Sequence, residues 1–146
     1  MPRQRNSMQK QMIGQALAVS DHPTAAEVYE QVRREYPRIS LGTVYRNLAS
    51  MADDGEILRL SFAGEPDRFD PKTHDHLHVI CRVCGRIFDT DGSLPPKLVA
   101  QLDRAIEQST GVAVLERTMY FAGVCQSCKG YAGSNKESGL TGNTAR

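Results

Sequence analysis

The chain contains four cysteines, and all of them fall in two Cys-x-x-Cys units, Cys81/Cys84 and Cys125/Cys128. A two-residue spacing lets both thiolates of one turn point at the same ion, and four thiolates complete the tetrahedral coordination of Zn(II). Because 40 residues separate the two units, a bound zinc ion would close a long loop and stabilise the fold. The alternatives are four reduced cysteines without a metal, or a thioredoxin-type redox pair, which leaves the second unit unexplained. The pattern therefore predicts a structural zinc site.

Three of the four histidines crowd into the segment His74–His78. If this segment is a strand, His76 and His78 point to one face and Cys81 points to the other, because the side-chain period of a strand is two. The imidazoles and the thiolates would then belong to two separate sites. Since zinc uses every thiolate, the second site would have only nitrogen and oxygen ligands.

Two carboxylates lie close to these histidines in sequence, Asp70 before them and Asp89 at the end of the next predicted strand. A site of imidazoles and carboxylates suits Fe(II) or Mn(II) as well as Zn(II). The alternative is a pair of surface histidines on a polar strand, with His74 in a loop. Judged by its neighbours alone, His22 is an ordinary polar residue before a helix.

The composition sets broad limits on the class of protein. A chain of 146 residues makes one domain, or two small domains that share a hinge. The formal charge is +1, and residues 1–52 carry seven Lys/Arg against four Asp/Glu, which is only a weak indication of nucleic-acid binding. The apolar runs are far shorter than the roughly 18–20 residues that span a bilayer, and no apolar stretch of signal-peptide type follows the N-terminus. We therefore expect a cytoplasmic protein that does not bind membranes, with reduced cysteines.

The first part of the chain has the pattern of three helices and a hairpin. Helices are predicted at about residues 7–18, from a capping box at Thr24–Glu27 to Pro37, and from an N-cap at Ser40 to about residue 52. Alternating strands at 56–62 and 68–70 flank a turn at 63–66. This order of elements predicts a winged helix-turn-helix.

The third predicted helix has two different faces. Val44, Leu48 and Met51 recur at helical spacing and should face the core. The opposite face is expected to contact DNA, with Arg46 placed to read guanine, although Tyr45 has an alternative role in packing against the preceding helix. Residues in and before the first helix are expected to hold phosphates. The candidate DNA-binding residues are Arg5, Gln9, Lys10, Thr43, Tyr45, Arg46 and Asn47.

From residue 76 the pattern changes to strands at 76–81 and 86–89, a helix from Pro96 to about Gln108, and a third strand at 112–122. The tail is polar and rich in glycine, so we expect it to be disordered. The predicted class is α/β (α+β): an N-terminal winged helix-turn-helix (1–66), a hinge (67–75), a small α/β domain with the four-cysteine zinc site (76–130) and a tail (131–146).

Several motifs together resemble a known family in order and spacing. They are His22-Pro-Thr-Ala-Ala-Glu-Val-Tyr29, Ile39-Ser-Leu-Gly-Thr-Val-Tyr-Arg-Asn-Leu48, Arg68-Phe-Asp70, His76-Leu-His78-x-x-Cys81-x-x-Cys84-Gly85 and Gly123-Val-Cys125-x-x-Cys128. Over residues 5–128 the chain resembles the ferric uptake regulator (Fur) family. The resemblance implies a homodimer whose second domain is the dimerisation domain, a regulatory metal site at the domain junction and a double-stranded DNA operator as partner.

The resemblance also implies a set of regulatory Fe(II) or Mn(II) ligands, namely His22, Asp70, His76, His78 and Asp89. An aspartate at the position of Asp89 is similar to the peroxide-sensing (PerR) branch, whereas iron-sensing Fur proteins more usually have glutamate there. The function expected is a metal-dependent repressor, not an enzyme, that senses peroxide through histidine oxidation. The alternative within the family is an iron-responsive repressor, and the alternatives outside it are a metallohydrolase and a zinc-stabilised interaction module.

Overall fold

The computed structural model of the chain describes residues 2–130, and the side chains from residue 7 onward. The chain divides into two compact units, with the boundary between His74 and Asp75. The mixture of helices and small sheets confirms the predicted α/β (α+β) class. The tail 131–146, predicted to be disordered, lies outside the described residues. Within residues 2–130, no helix has both the length and the apolar composition needed to cross a bilayer.

Three helices form most of the first unit: α1 (Pro2–Ala18), α2 (Ala25–Glu35) and α3 (Leu41–Asp53). α2 begins at the predicted capping box, where the Thr24 hydroxyl accepts from the Glu27 amide at 3.2 Å and the Glu27 carboxylate accepts from the Thr24 amide at 2.7 Å. The Ser40 hydroxyl caps α3 by accepting from the amide of Thr43 at 3.1 Å. These bonds satisfy first-turn amides that have no partner inside a helix. α1 starts earlier than the predicted residue 7.

An antiparallel hairpin follows, formed by β1 (Leu58–Leu60) and β2 (Arg68–Asp70). β1 is shorter than the predicted strand 56–62 because β2 offers only three residues to pair with. On the other side of β2, the Phe69 amide donates to the Pro23 carbonyl at 3.0 Å, and Thr24 forms a bridge with Arg68. This pairing holds the segment between α1 and α2 against β2.

The core of the first unit draws on all three helices and on β2. Its buried apolar side chains each contribute roughly 1.5–3 kcal/mol by leaving water; they include Ile13, Leu17, Val28, Val44, Leu48 and Phe69. Val44 and Leu48 fix the orientation of α3 about its own axis, so the opposite side of α3 faces solvent. This core supports the predicted winged helix-turn-helix arrangement.

The second unit contains a three-stranded sheet made of β3 (His78–Cys81), β4 (Ile87–Asp89) and, after a helix α4 (Pro96–Thr110), β5 (Tyr120–Gly123). β3 lies in the centre, antiparallel to β4 and parallel to β5. The predicted strand 112–122 is wrong over residues 112–119, because the four residues of β3 are already paired with the four residues of β5. The predicted strand 76–81 begins only at His78, opposite the last residue of β4.

Gly111 caps the C-terminal end of α4; it has a φ of 73° and donates its amide to the Glu107 carbonyl at 2.8 Å. Its apolar residues Leu98, Leu102 and Ile106 are 49%, 41% and 45% exposed, and none of its residues is buried against the described part of the chain. A stripe of large apolar side chains left in water is typical of a surface that packs against another chain.

Candidate metal centres and DNA-binding surface

The four cysteines come together in the second unit, where their sulfur atoms lie within 4.8 Å of one another. Cys81 ends β3, and the turn to Cys84 is closed by a hydrogen bond from the Gly85 amide to the Cys81 carbonyl at 2.8 Å. Cys125 and Cys128 follow β5, whose parallel pairing places Gly123 beside Cys81. The sheet therefore joins two Cys-x-x-Cys units that are distant in sequence. The Sγ atoms of Cys84 and Cys125 are 3.9 Å apart, and all four cysteines are free of disulfides.

The thiols of this cluster differ in acidity. The backbone amides of Cys125 and Cys84 donate to the Cys81 sulfur and lower the pKa of the Cys81 thiol to about 6; the Cys125 amide lies 3.3 Å from that sulfur. The hydrogen bond to the Cys125 side chain, together with burial, raises the pKa of the Cys128 thiol to about 12. Four sulfurs at these distances repel one another as thiolates unless a cation lies between them. The donor set and its convergence fit a structural Zn(II) ion.

His22 and Asp70 meet in the first unit, and both are buried. His22 has a φ of 47°, in the left-handed region that is costly for residues other than glycine. Its Nε2 lies 3.5 Å from Oδ2 of Asp70, and its Nδ1 lies 2.7 Å from Oδ1 of Asp21. The other oxygen of Asp70, Oδ1, accepts from the Lys72 amide at 2.8 Å. The pairing of residues 23–24 with β2 thus places an imidazole nitrogen beside a buried carboxylate oxygen.

His76, His78 and Asp89 meet in the second unit. His78 lies opposite Asp89 in the β3–β4 pair, and His76 lies just before β3. The Nε2 atoms of both histidines are 3.7 Å from Oδ1 of Asp89, and the ring centroids are 4.6 Å apart. Two imidazoles and a carboxylate therefore converge without a thiolate, although only His78 of the two histidines lies in the strand from which the parity was predicted. His74 lies in an exposed bend.

The exposed face of α3 differs in one respect from the predicted face. Tyr45 and Arg46 are exposed, but Asn47 is buried and its amide donates to the Thr43 carbonyl at 2.8 Å. Thr43 is half-buried, and its hydroxyl accepts from Arg46 at 3.3 Å. Asn47 comes three residues after the buried Val44, so helical periodicity places it on the inward side. Asn47 therefore belongs to the interior of the unit rather than to its outer face.

The candidates in α1 have different surroundings. Gln9 is half-buried, and the side chain of Arg5 lies outside the described residues. The Nζ of Lys10 lies 3.1 Å from Oε1 of Glu56 and 3.2 Å from Oδ2 of Asp54. These hydrogen bonds raise the pKa of Lys10. Lys10 thus ties α1 to the turn after α3, and it must exchange these carboxylates before it can hold a phosphate.

Comparison with known proteins assigns these features to a family. The sequence model described as "Ferric uptake regulator family" matches residues 2–122. The chain belongs to the ferric uptake regulator (Fur) family. Fur-family proteins are metal-responsive transcription regulators, and the resemblance read from the motifs is confirmed.

Individual Fur-family proteins show a similar sequence and fold. The chain is 36% identical to the peroxide-responsive repressor PerR of Staphylococcus aureus (strain USA300) over 108 residues, which cover 74% of this chain and 70% of that protein. The crystal structure of the Campylobacter jejuni peroxide stress regulator aligns with a TM-score of 0.64 and 26% identity, over 85% of this chain and 91% of the other. The ferric uptake regulator of Vibrio cholerae aligns with a TM-score of 0.59 and 27% identity, over 80% and 88%.

Asp21 and Arg59 contact candidate site residues of this Fur-family chain but belong to none of the motifs above. Asp21 contacts His22, and the only signal in the sequence is an acidic residue directly before a histidine. Arg59 donates to the hydroxyl of Tyr45 at 2.8 Å. From the sequence, Arg59 is only a polar residue of an alternating strand, because its partner Tyr45 lies on another element.

Proposed function

We propose that this chain is a homodimeric, cytoplasmic repressor that binds operator DNA when Fe(II) or Mn(II) joins its two units, and that releases the DNA after peroxide oxidises a histidine ligand. The observation that carries the proposal is a pair of half-sites. One half, His22 with Asp70, belongs to the first unit, and the other, His76 and His78 with Asp89, belongs to the second. Each half turns imidazole Nε2 atoms toward a carboxylate oxygen.

The donor set supports this choice of regulatory metal. Nitrogen and oxygen donors without sulfur suit Fe(II) and Mn(II), and the thiolates are collected elsewhere. The cysteine cluster is assigned to a permanent zinc ion, which joins the turn after β3 to the segment after β5. The two sites therefore have separate tasks, one in holding the second unit together and one in sensing.

Metal binding affects DNA affinity through geometry. Two winged helices of a dimer must meet two half-sites at a set spacing on the duplex. Ligands from both units hold the first unit at one angle when they share an ion, and this favours the dimer form that matches the operator. An ion at about 100 times its dissociation constant shifts such an equilibrium by roughly 2.7 kcal/mol if it binds only that form.

The exposed apolar stripe of α4, formed by Leu98, Leu102 and Ile106, is assigned to the contact with the second copy in the dimer.

The DNA contacts are assigned to α3 and α1. The exposed Tyr45 and Arg46 of α3 are assigned to base and phosphate contacts, and Thr43 to a contact from the start of that helix. Gln9, Lys10 and Arg5 are assigned to phosphates.

Peroxide sensing is favoured over plain iron sensing by Asp89 and by the relatives. The S. aureus protein is a peroxide-responsive repressor and the C. jejuni protein is a peroxide stress regulator. Bound Fe(II) supplies the redox chemistry that activates peroxide. The net change in the chain is insertion of one oxygen atom from H₂O₂ into a ring C–H bond of His22 or His76, with water as the other product. The altered ring is a poorer nitrogen donor, so the two units separate and the DNA is released.

The second candidate function is an iron-responsive repressor without peroxide sensing, which the likeness to the V. cholerae ferric uptake regulator favours. A duplex selected from a random library by the Mn(II)-loaded protein provides the probe for both. We expect the selected duplex to bind the Fe(II)- and Mn(II)-loaded forms, to be released by H₂O₂ only from the Fe(II) form, and to bind the form without regulatory metal weakly. Release without histidine oxidation supports the iron-responsive alternative, and equal affinity with and without metal contradicts both. An absence of any DNA binding would favour the metallohydrolase or the zinc-stabilised interaction module.

A further inference from the structure

The guanidinium of Arg59 joins the hairpin to α3. Its Nη2 donates to the Tyr45 hydroxyl at 2.8 Å, and its CZ atom lies 5.8 Å from the centroid of the Tyr45 ring. Tyr45 thus receives both a hydrogen bond and a cation–π contact from one side chain. Tyr45 is 43% exposed on the outer face of α3, so Arg59 restrains a side chain that otherwise projects into solvent.

Asp67 holds Arg59 in this position. Nε and Nη2 of Arg59 donate to Oδ2 of Asp67, the first at 2.8 Å, and the hydroxyl of Ser61 donates to Oδ1 at 2.6 Å. Ser61 and, after it, Arg59 lower the pKa of Asp67, while Asp67 raises the pKa of Arg59. The pair is therefore ionised at neutral pH and has no net charge.

The hairpin register explains why these groups meet. Arg59 lies in β1, Ser61 comes directly after that strand, and both side chains reach the carboxylate of Asp67. Asp67 comes directly before β2, which pairs antiparallel with β1, so Asp67 lies across from Ser61 at the turn end of the hairpin. Leu58 and Leu60, the other residues of β1, are half-buried.

We propose that Arg59, held by Asp67, is a positioning residue that fixes the Tyr45 side chain for base discrimination and is not itself a phosphate contact. This inference rests on the proposed operator binding through α3. An exposed tyrosine that is already ordered loses less side-chain entropy on binding, and it can meet only those bases that fit its fixed position. An arginine neutralised by a carboxylate releases few counterions from DNA, so it contributes little to salt-dependent affinity.

The test compares the selected duplex with a scrambled duplex, over a series of salt concentrations, by fluorescence anisotropy of the Mn(II)-loaded protein. Arg59→Gln should lower the ratio of the two affinities by about 10-fold, because a well-placed base contact is worth about that much. The slope of affinity against salt should not change. Arg59→Lys keeps the charge but loses the forked contact, so it should show the same loss of ratio.

Asp67→Asn releases Arg59 from its carboxylate partner and should raise the affinity for DNA of any sequence. We expect tighter binding to the scrambled duplex, a salt slope steeper by about one ion, and a smaller ratio. Glu65→Gln is the matched control, since it removes one negative charge from the same hairpin turn. It should raise both affinities alike and leave the ratio unchanged. Asp67→Glu should restore part of the ratio.

A measurement without DNA tests the geometry itself. In ¹H–¹⁵N spectra the Arg59 Nε–H should be protected from exchange in the native chain, should lose that protection in Asp67→Asn, and should keep it in Glu65→Gln. If Arg59→Gln makes the salt slope shallower by about one ion and leaves the ratio unchanged, Arg59 is a phosphate contact and the inference is wrong. If the native protein does not distinguish the two duplexes in any metal state, the proposed function itself fails, whatever the exchange data show.

Discussion

Nδ1 of His22 lies 2.7 Å from a carboxylate oxygen of Asp21, its neighbour in sequence, and this contact leaves Nε2 directed at Asp70. A carboxylate that accepts a hydrogen bond from the N–H of one ring nitrogen selects the tautomer in which the other nitrogen can bind a metal. Asp21 itself is exposed, with 72% of its side chain accessible. We therefore expect the exposed Asp21 to select Nε2 of His22 as the nitrogen that binds the metal.

Asp21→Ala should therefore weaken Mn(II) binding by about 10-fold or more, the usual effect of removing such a partner. Isothermal titration of the zinc-loaded protein measures the affinity, and ¹⁵N spectra of the His22 ring report the tautomer. Asp53→Asn, at the exposed end of α3, is the control for a lost surface charge. An unchanged affinity together with an unchanged tautomer would show that Asp21 has no positioning role.

Cys84→Ser should remove the zinc ion and unfold the second unit while the first unit keeps its helices. Structural zinc sites contribute roughly 10 kcal/mol or more of binding free energy to folding, and here the ion joins segments that the short β3–β5 pair brings together. Zinc content per chain and far-UV circular dichroism measure the two effects. Ser127→Ala lies in the second Cys-x-x-Cys unit but adds or removes no metal donor, and it should behave like the native chain. A folded Cys84→Ser protein without zinc would contradict a structural role.

Peroxide should add one oxygen to His22 or His76 in the Fe(II)-loaded protein and none in the Mn(II)-loaded protein. The reason is that Fe(II) readily reduces peroxide, whereas Mn(II) does not. Peptide mass spectrometry locates the modified ring. Asp89→Glu is the informative variant: the extra methylene moves the carboxylate oxygen that lies 3.7 Å from both histidines. We expect it to keep Mn(II)-dependent DNA binding and to be oxidised more slowly. Oxidation at the native rate in Asp89→Glu would show that this residue does not set peroxide sensitivity.

Leu102→Asp should weaken the dimer by about 2 kcal/mol, or about 30-fold, if the apolar stripe of α4 is the contact between copies. Sedimentation velocity over a range of concentrations measures the dissociation constant. Gln108→Asp introduces the same charge on the same helix, away from the stripe defined by Leu98, Leu102 and Ile106, and should leave the dimer intact. Equal effects of the two substitutions would place the interface elsewhere.

The local part of the structure could be predicted from sequence because its causes are local. The capping box of Thr24 and Glu27 and the N-cap of Ser40 depend on residues three apart, and each forms as predicted. The burial of Val44, Leu48 and Met51 follows from helical periodicity. The two Cys-x-x-Cys turns likewise present paired sulfurs through spacing alone.

Tertiary structure decided whatever depends on a partner from another element. β1 and β5 are shorter than their patterns predict because a strand is only as long as the strand it pairs with. Lys10 reads as a free cation in sequence, yet Asp54 and Glu56 hold it. Arg59 belongs to no sequence motif, and only the folded hairpin brings it to Asp67 and Tyr45.

The two candidate metal sites also depend partly on the sequence and partly on the tertiary structure. Residue types and spacing by themselves predicted that sulfur donors and imidazole donors belong to different sites, through the parity of a regular strand, although only His78 of the two paired histidines lies in β3. Only the folded chain could turn His22 toward Asp70, because that contact depends on a left-handed backbone at residue 22 and on the pairing of residues 23–24 with β2. Sequence specifies which atoms can bind a metal, and long-range pairing decides which of them meet.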